Sequence, residues 1–182
     1  MKKLGGLRRR WLTNTFMVVV PLAVVCVLLV TASFSAYYYS GMESDLRYRA
    51  KTTKDYFEDN INFDYSKFYQ SCVDFTKTYE ERNHIELQFI NAYGHMVASS
   101  YGPWAGRTPS TGEIQEAMTT RTMSTFLGVD PHTGEHIMAV SAPLIYHGGE
   151  IIGVLRFVTS TRVMNMQIAY IVLITVFFCV AF

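Results

Sequence analysis

A charge-free run of 19 residues, Phe16–Phe34, constrains this chain more than any other feature. As a helix rising about 1.5 Å per residue it is long enough to cross a hydrocarbon core of about 30 Å. Lys2, Lys3, Arg8, Arg9 and Arg10 precede it, and such a basic cluster keeps its end of a span in the cytoplasm. The alternative is a cleaved signal peptide with Ser33 and Ser35 at the cleavage site, but its apolar core of about 7–15 residues would be shorter than this run. A second charge-free run, Ile168–Phe182, has 15 residues, short of the ~20 that a span needs, so continuation beyond Phe182 is expected. The organisation this predicts is a cytoplasmic N-terminus (1–15), a first transmembrane helix (16–36), an exported domain (37–163) and the start of a second span (164–182).

The middle segment has room for one core. Between Tyr37 and Val163 there are 11 Lys and Arg against 15 Asp and Glu, a net of −4, which excludes an electrostatic grip on nucleic acid. Cys26 and Cys179 fall in the apolar runs and Cys72 stands alone between them, so the exported part must rely on its core rather than on a disulfide. With Phe68, Phe75 and Tyr79 at helical spacing, Cys72 reads as a small buried hydrophobe.

Leu46, Ala50, Thr53, Phe57 and Ile61 recur at three- and four-residue intervals, the stripe of an amphipathic helix. Because the stripe follows directly from the first apolar run, it suits a parallel homodimer, with packing on the chain's own sheet as the alternative. Asp64 or Ser66 can cap a second helix bearing Phe68, Cys72, Phe75 and Tyr79. The period then changes: Ile85, Leu87 and Phe89 alternate with Glu86, Gln88 and Ile90, and Tyr93-Gly94-His95 separates this strand from Met96–Ser100. Two glycines and two prolines make 101–109 a loop. Ser110-Thr-Gly-Glu113 has the spacing of a capping box at the start of a short helix carrying Ile114, Ala117 and Met118. Strands over 123–129, 135–146 and 150–159 follow, joined by Asp130-Pro-His-Thr-Gly134 and His147-Gly-Gly149. This order predicts an α+β domain with an antiparallel sheet and helices over one face.

In this arrangement the chain resembles the N-terminal sensing regions of sensor histidine kinases from low-GC Gram-positive bacteria, with a PAS-like (single Cache) domain between two spans. The resemblance is carried by Arg9-Arg-Trp-Leu12, Tyr37-Tyr-Tyr-Ser-Gly41, Leu87-Gln-Phe-Ile-Asn-Ala-Tyr-Gly94 with Val97-Ala-Ser-Ser100, and Ser141-Ala-Pro-Leu144 with Gly153-Val-Leu-Arg-Phe157. It implies a five-stranded antiparallel sheet in PAS order, N-terminal helices and one short covering helix, flanked by two transmembrane helices. It also implies a homodimer in a bacterial cell membrane, multi-pass, with the sensor domain outside. The kinase module, with its ATP, Mg²⁺ and response-regulator partner, would follow the second span, so no cofactor is expected in this segment.

The chain contains no phosphate-loop, nucleophile-elbow or zinc-helix motif, and no catalytic residues are expected in it. Asp130, His132, Glu135 and His136 around one hairpin turn are the nearest approach to a metal set, though a turn does not fix ligand geometry as a helix would. PAS-like domains hold small ligands between the sheet and its covering loop and helix. That region contains Tyr101, Trp104, Arg107 and Arg121, of which the aromatics offer apolar walls and a guanidinium can hold a carboxylate through two parallel hydrogen bonds. The plainer alternative makes Trp104 a core residue and the arginines surface charges. The leading expectation is signal sensing and transmission to a kinase. The alternatives are the sensor region of a chemoreceptor or diguanylate cyclase, and a membrane-tethered scaffold without output.

Overall fold

The computed structural model describes residues 5–60, 65–80, 84–102, 109–146 and 149–181. Arg8, Arg9 and Arg10, the apolar run and the amphipathic stripe as far as Phe57 form one helix, α1 (Gly5–Asn60), followed by α2 (Tyr65–Thr78). Then come β1 (Ile85–Asn91), β2 (Met96–Ser99), α3 (Gly112–Thr120), β3 (Ser124–Val129), β4 (His136–Ile145), β5 (Ile151–Ser160) and α4 (Arg162–Ala181). Contacts divide the chain into two compact units, Met1–Tyr39 with Met164–Phe182, and Ser40–Val163.

In the first unit α1 carries a stretch long and apolar enough to cross a membrane, and α4 is a shorter apolar helix. Their large apolar side chains point outward, Met17 at 76% and Leu173 at 67% exposure. The Tyr39 hydroxyl donates to Asn165 Oδ1 at 2.6 Å, a polar link between the two helices.

The second unit is built on a five-stranded sheet in the order β2-β1-β5-β4-β3, with every neighbouring pair antiparallel. Side chains alternate across it, so β1 sends Leu87 and Phe89 to one face and Gln88 and Ile90 to the other. The first face is aromatic. Phe57 of α1 lies 4.8 Å from Phe89 and 5.2 Å from Phe75 of α2, centroid to centroid, with Phe68 at 6.3 Å. Cys72 is fully buried there, and that burial pushes its thiol well above its ordinary range. At the β3 edge of the same face, Arg47 of α1 donates to both Glu43 and Thr125, each at 2.8 Å. The Arg47 hydrogen bond holds the Glu43 carboxyl below its ordinary 4.5. Its stabilising contribution is therefore present above that value and lost as pH falls through the depressed one.

Leu46, Ala50 and Phe57 are buried and Thr53 is half-buried, so the stripe packs on the chain's own sheet. It is not the free seam that a parallel dimer through these residues requires. Burying aromatic area against β1 and α2 inside one chain takes up that face first. The opposite face is covered by α3, where Ile114 and Met118 pack on the cross-strand pair Ile90 and Val154. The expectation of helices over one face is therefore corrected. The loop between β2 and β3 is long enough to carry its helix across to the side that α1 and α2 leave open.

Turn residues behave as their chemistry requires. Gly94, Gly134 and Gly149 have φ of 84°, 71° and 80°, the left-handed region that glycine enters without steric cost. Gly153 is needed for a different reason. A Cβ there would sit 2.3 Å from the Ile90 carbonyl oxygen, so β5 can approach β1 only without a side chain. Gly153→Ala is expected to cost at least about 1–3 kcal/mol, read as a lowered urea midpoint with an unchanged slope.

Candidate functional site

The face under α3 carries a polar row. Ser99, Gln88, Arg156, Ser141 and Ser124 are successive cross-strand partners on β2, β1, β5, β4 and β3, so one level of the sheet is polar from edge to edge. Arg156 stands at its centre with 2% of its surface exposed. A buried guanidinium costs several kcal/mol unless it is paired and hydrogen-bonded.

Two segments, β1 and the start of α3, supply the partners. Nε of Arg156 donates to Glu113 Oε1 at 2.7 Å, one terminal nitrogen donates to Gln88 Oε1 at 2.9 Å, and the other donates to Thr111 Oγ1 at 2.8 Å. Thr111 Oγ1 in turn donates to Glu113 Oε1 at 2.8 Å. Glu113, Thr111 and Gln88 are all buried. At the flanks, Ser99 donates to Glu86 at 2.6 Å and Ser124 donates to Glu116 of α3. The cluster is not saturated, since Glu113 Oε2 and the Ser141 hydroxyl are buried without a hydrogen-bond partner among the described residues. Arg156 also forms only a single-oxygen contact with Glu113 rather than the two-oxygen fork a carboxylate can offer.

Glu113 corrects the capping-box reading. The N-cap of α3 is Thr111, its side chain makes no capping bond, and both Thr111 and Glu113 are turned onto Arg156. A buried full charge is a stronger partner than a backbone amide that water can reach. Sequence reasoning passed over Arg156, although a signal for it existed. It is the one charged residue in the run Ile151–Ser160, and a strand apolar on both faces has no solvent side to which a guanidinium could turn.

Of the residues expected from the sequence, Tyr101 and Arg121 are not among the hydrogen-bond partners of Arg156. Tyr101 is half exposed, and its backbone N–H donates to Ser99 Oγ at 3.1 Å. Its phenol is held above its ordinary value, first by burial and then by the charges of Glu86 and Glu135, so its surroundings are acidic. Arg121 is exposed and forms the C-cap of α3 at φ 58°, its N–H donating to the Ala117 carbonyl; it is not among the partners of Arg156. Trp104 and Arg107 lie outside the described residues. His132 and His136 are exposed, with Asp130 Oδ1 accepting the His132 backbone N–H at 2.8 Å. Among the described residues, no three His, Cys, Asp or Glu side chains converge as a metal site would require.

No family model and no curated protein matches the chain. Solved structures match its fold, that of the Cache or PAS-like sensor domain. The sensory domain of a Campylobacter jejuni chemoreceptor with isoleucine bound aligns at TM-score 0.57 and 15% identity, over 91% of this chain and 68% of that one. The ligand-binding domain of a Pseudomonas aeruginosa amino-acid chemoreceptor in complex with GABA aligns at TM-score 0.55 and 16% identity, over 78% of this chain. This chain spans 64% of that domain's length. The sensor domain of a V. cholerae histidine kinase aligns at TM-score 0.51 and 16% identity, over 71% and 53%.

Two expectations follow from this geometry. Glu113→Ala or Arg156→Ala alone strands a buried charge and should cost about 3–5 kcal/mol, whereas the apolar pair Glu113→Leu with Arg156→Met should cost much less than the sum of its two single substitutions. A double-mutant cycle in urea measures this. Arg121→Gly relieves a left-handed residue and should stabilise the domain by about 1 kcal/mol, seen as a raised thermal midpoint.

Proposed function

We propose that this chain is the sensing part of a bacterial transmembrane receptor, with residues 37–163 outside the cell and both ends in the cytoplasm. The observation that carries the reading is the chain order. A Cache-like domain with a buried polar site is entered from an apolar helix that follows a basic cluster, and it leaves through another apolar helix that starts two residues after β5. The basic cluster supports the orientation. A sensor histidine kinase is the output we favour, on the motifs from Arg9 to Phe157 together with the fold shared with a kinase sensor. The chemoreceptor folds favour a second reading with a different output. In either case the cue must bind one arrangement of the domain more tightly than the other, with a coupling of about 1–3 kcal/mol. Pairing of two copies in the membrane would use surfaces other than the Leu46–Phe57 stripe.

Cysteine labelling in whole cells tests the topology. In a chain with Cys26, Cys72 and Cys179 replaced by Ala, Tyr93→Cys should react with a membrane-impermeant maleimide and Lys3→Cys should react only after lysis. The reverse pattern, or labelling of both in intact cells, refutes the reading.

A further inference from the structure

The Arg156 cluster has features that a purely structural ion pair does not need. Glu113 uses one carboxylate oxygen and leaves Oε2 buried without a partner among the described residues, and Ser141, the cross-strand partner of Arg156, has a buried hydroxyl in the same condition. The helix bearing Glu113 is only nine residues long, its N-cap side chain is spent on Arg156, and its C-cap is an arginine in the left-handed region. Helix α3 is held to the sheet by the Arg156 contacts, by the hydrogen bond from Ser124 to Glu116, and by the small apolar cluster of Ile90, Ile114 and Val154.

We propose that Glu113 is a built-in competitor for Arg156, standing where the carboxylate of a small monocarboxylate with a short apolar tail binds, and that binding proceeds by exchange: the ligand takes the guanidinium and Glu113 swings out with α3. This deepens the sensing role proposed above and rests on it. Charge decides between exchange and simple addition. The Arg156–Glu113 pair is neutral, so an anion added to it would leave one uncompensated buried negative charge, whereas replacing one carboxylate by another leaves the buried charge unchanged. The geometry sets the ligand class. Val154 and Ile90 lie two residues from Arg156 and Gln88 on their strands, and Ile114 adjoins Glu113. The anion site thus opens directly onto an apolar cluster that a short aliphatic tail would meet. The outgoing Glu113 needs only to reach water, because α3 carries exposed Gln115, Thr119 and Thr120 on its outer side.

The test uses the full chain in lipid nanodiscs, with propionate as probe and chloride at equal ionic strength as control. Propionate binding is followed by calorimetry in the parent, in Glu113→Gln and in Arg156→Gln. Glu113→Gln keeps an acceptor for Arg156 but removes the competing charge, and it should bind propionate at least 10-fold more tightly than the parent; Arg156→Gln should not bind it. Equal affinity in parent and Glu113→Gln, or no binding by either, overturns the proposal. A second measurement needs no variant. Amide hydrogen exchange across Gly112–Thr120 of the parent should speed up with propionate, because exchange frees α3. Unchanged or slower exchange there overturns the proposal in favour of a pocket that simply fills. Neither readout depends on membrane orientation, so failure here leaves the labelling result standing, and failure of the labelling leaves this one interpretable.

Discussion

A full positive charge at the centre of the sheet is the constraint around which the second unit, Ser40–Val163, is arranged. Arg156 occupies the middle of β5, the middle strand, where both faces are covered. It can be tolerated there only if side chains from other segments supply acceptors. Gln88 does so from the neighbouring strand, and Thr111 and Glu113 do so from across the β2–β3 connection. That demand accounts for the placement of α3. Left to its apolar residues alone, a nine-residue helix with an uncapped N-terminus would be marginal. The ion pair fixes where it lies.

Apolar residues of similar volume at positions 113 and 156 would serve stability as well or better, since desolvating two charges offsets most of their attraction. The pair is therefore poor evidence of a device for stability alone. Its incompleteness points the same way, because a pair optimised for rigidity would use both carboxylate oxygens in a fork. The aromatic face on the other side of the sheet shows what this chain builds where rigidity is needed. There Phe57, Phe68, Phe75 and Phe89 interlock with offset and edge contacts.

Much of the fold was legible because local chemistry and global structure agree. Alternation at Ile85, Leu87 and Phe89 gave β1, the Gly94, Gly134 and Gly149 turns fell where positive φ was required, and the helical stripes were right in period. The stripe on α1 was less informative about its partner, since periodicity shows which side of a helix is apolar but not what covers it. The site was harder to read. Ser110-Thr-Gly-Glu113 satisfies a local rule, and a local rule gives no sign that a charge arriving from residue 156, distant in sequence, will outbid a backbone amide. Gln88 and Ser141 are equally silent in sequence, because the row they form exists only once the strand register is set.

The two faces of the sheet are held by different kinds of contact. The α1–α2 face buries aromatic rings and a fully enclosed thiol, contacts that weaken steeply with small displacements and so resist them. The α3 face joins a small apolar cluster and the Ser124–Glu116 hydrogen bond to a set of directional bonds on Arg156, and those last bonds can be exchanged one for another with little change in buried area. A displacement of Arg156 acts on β5 directly. At its end, Thr161 donates both its N–H and its hydroxyl to the His136 carbonyl, at 2.9 and 3.1 Å. Those two bonds tie the exit of β5 to the start of β4. A shift at the centre of β5 is therefore carried by the β4–β5 pair as a body rather than lost in fraying of the last residues before α4.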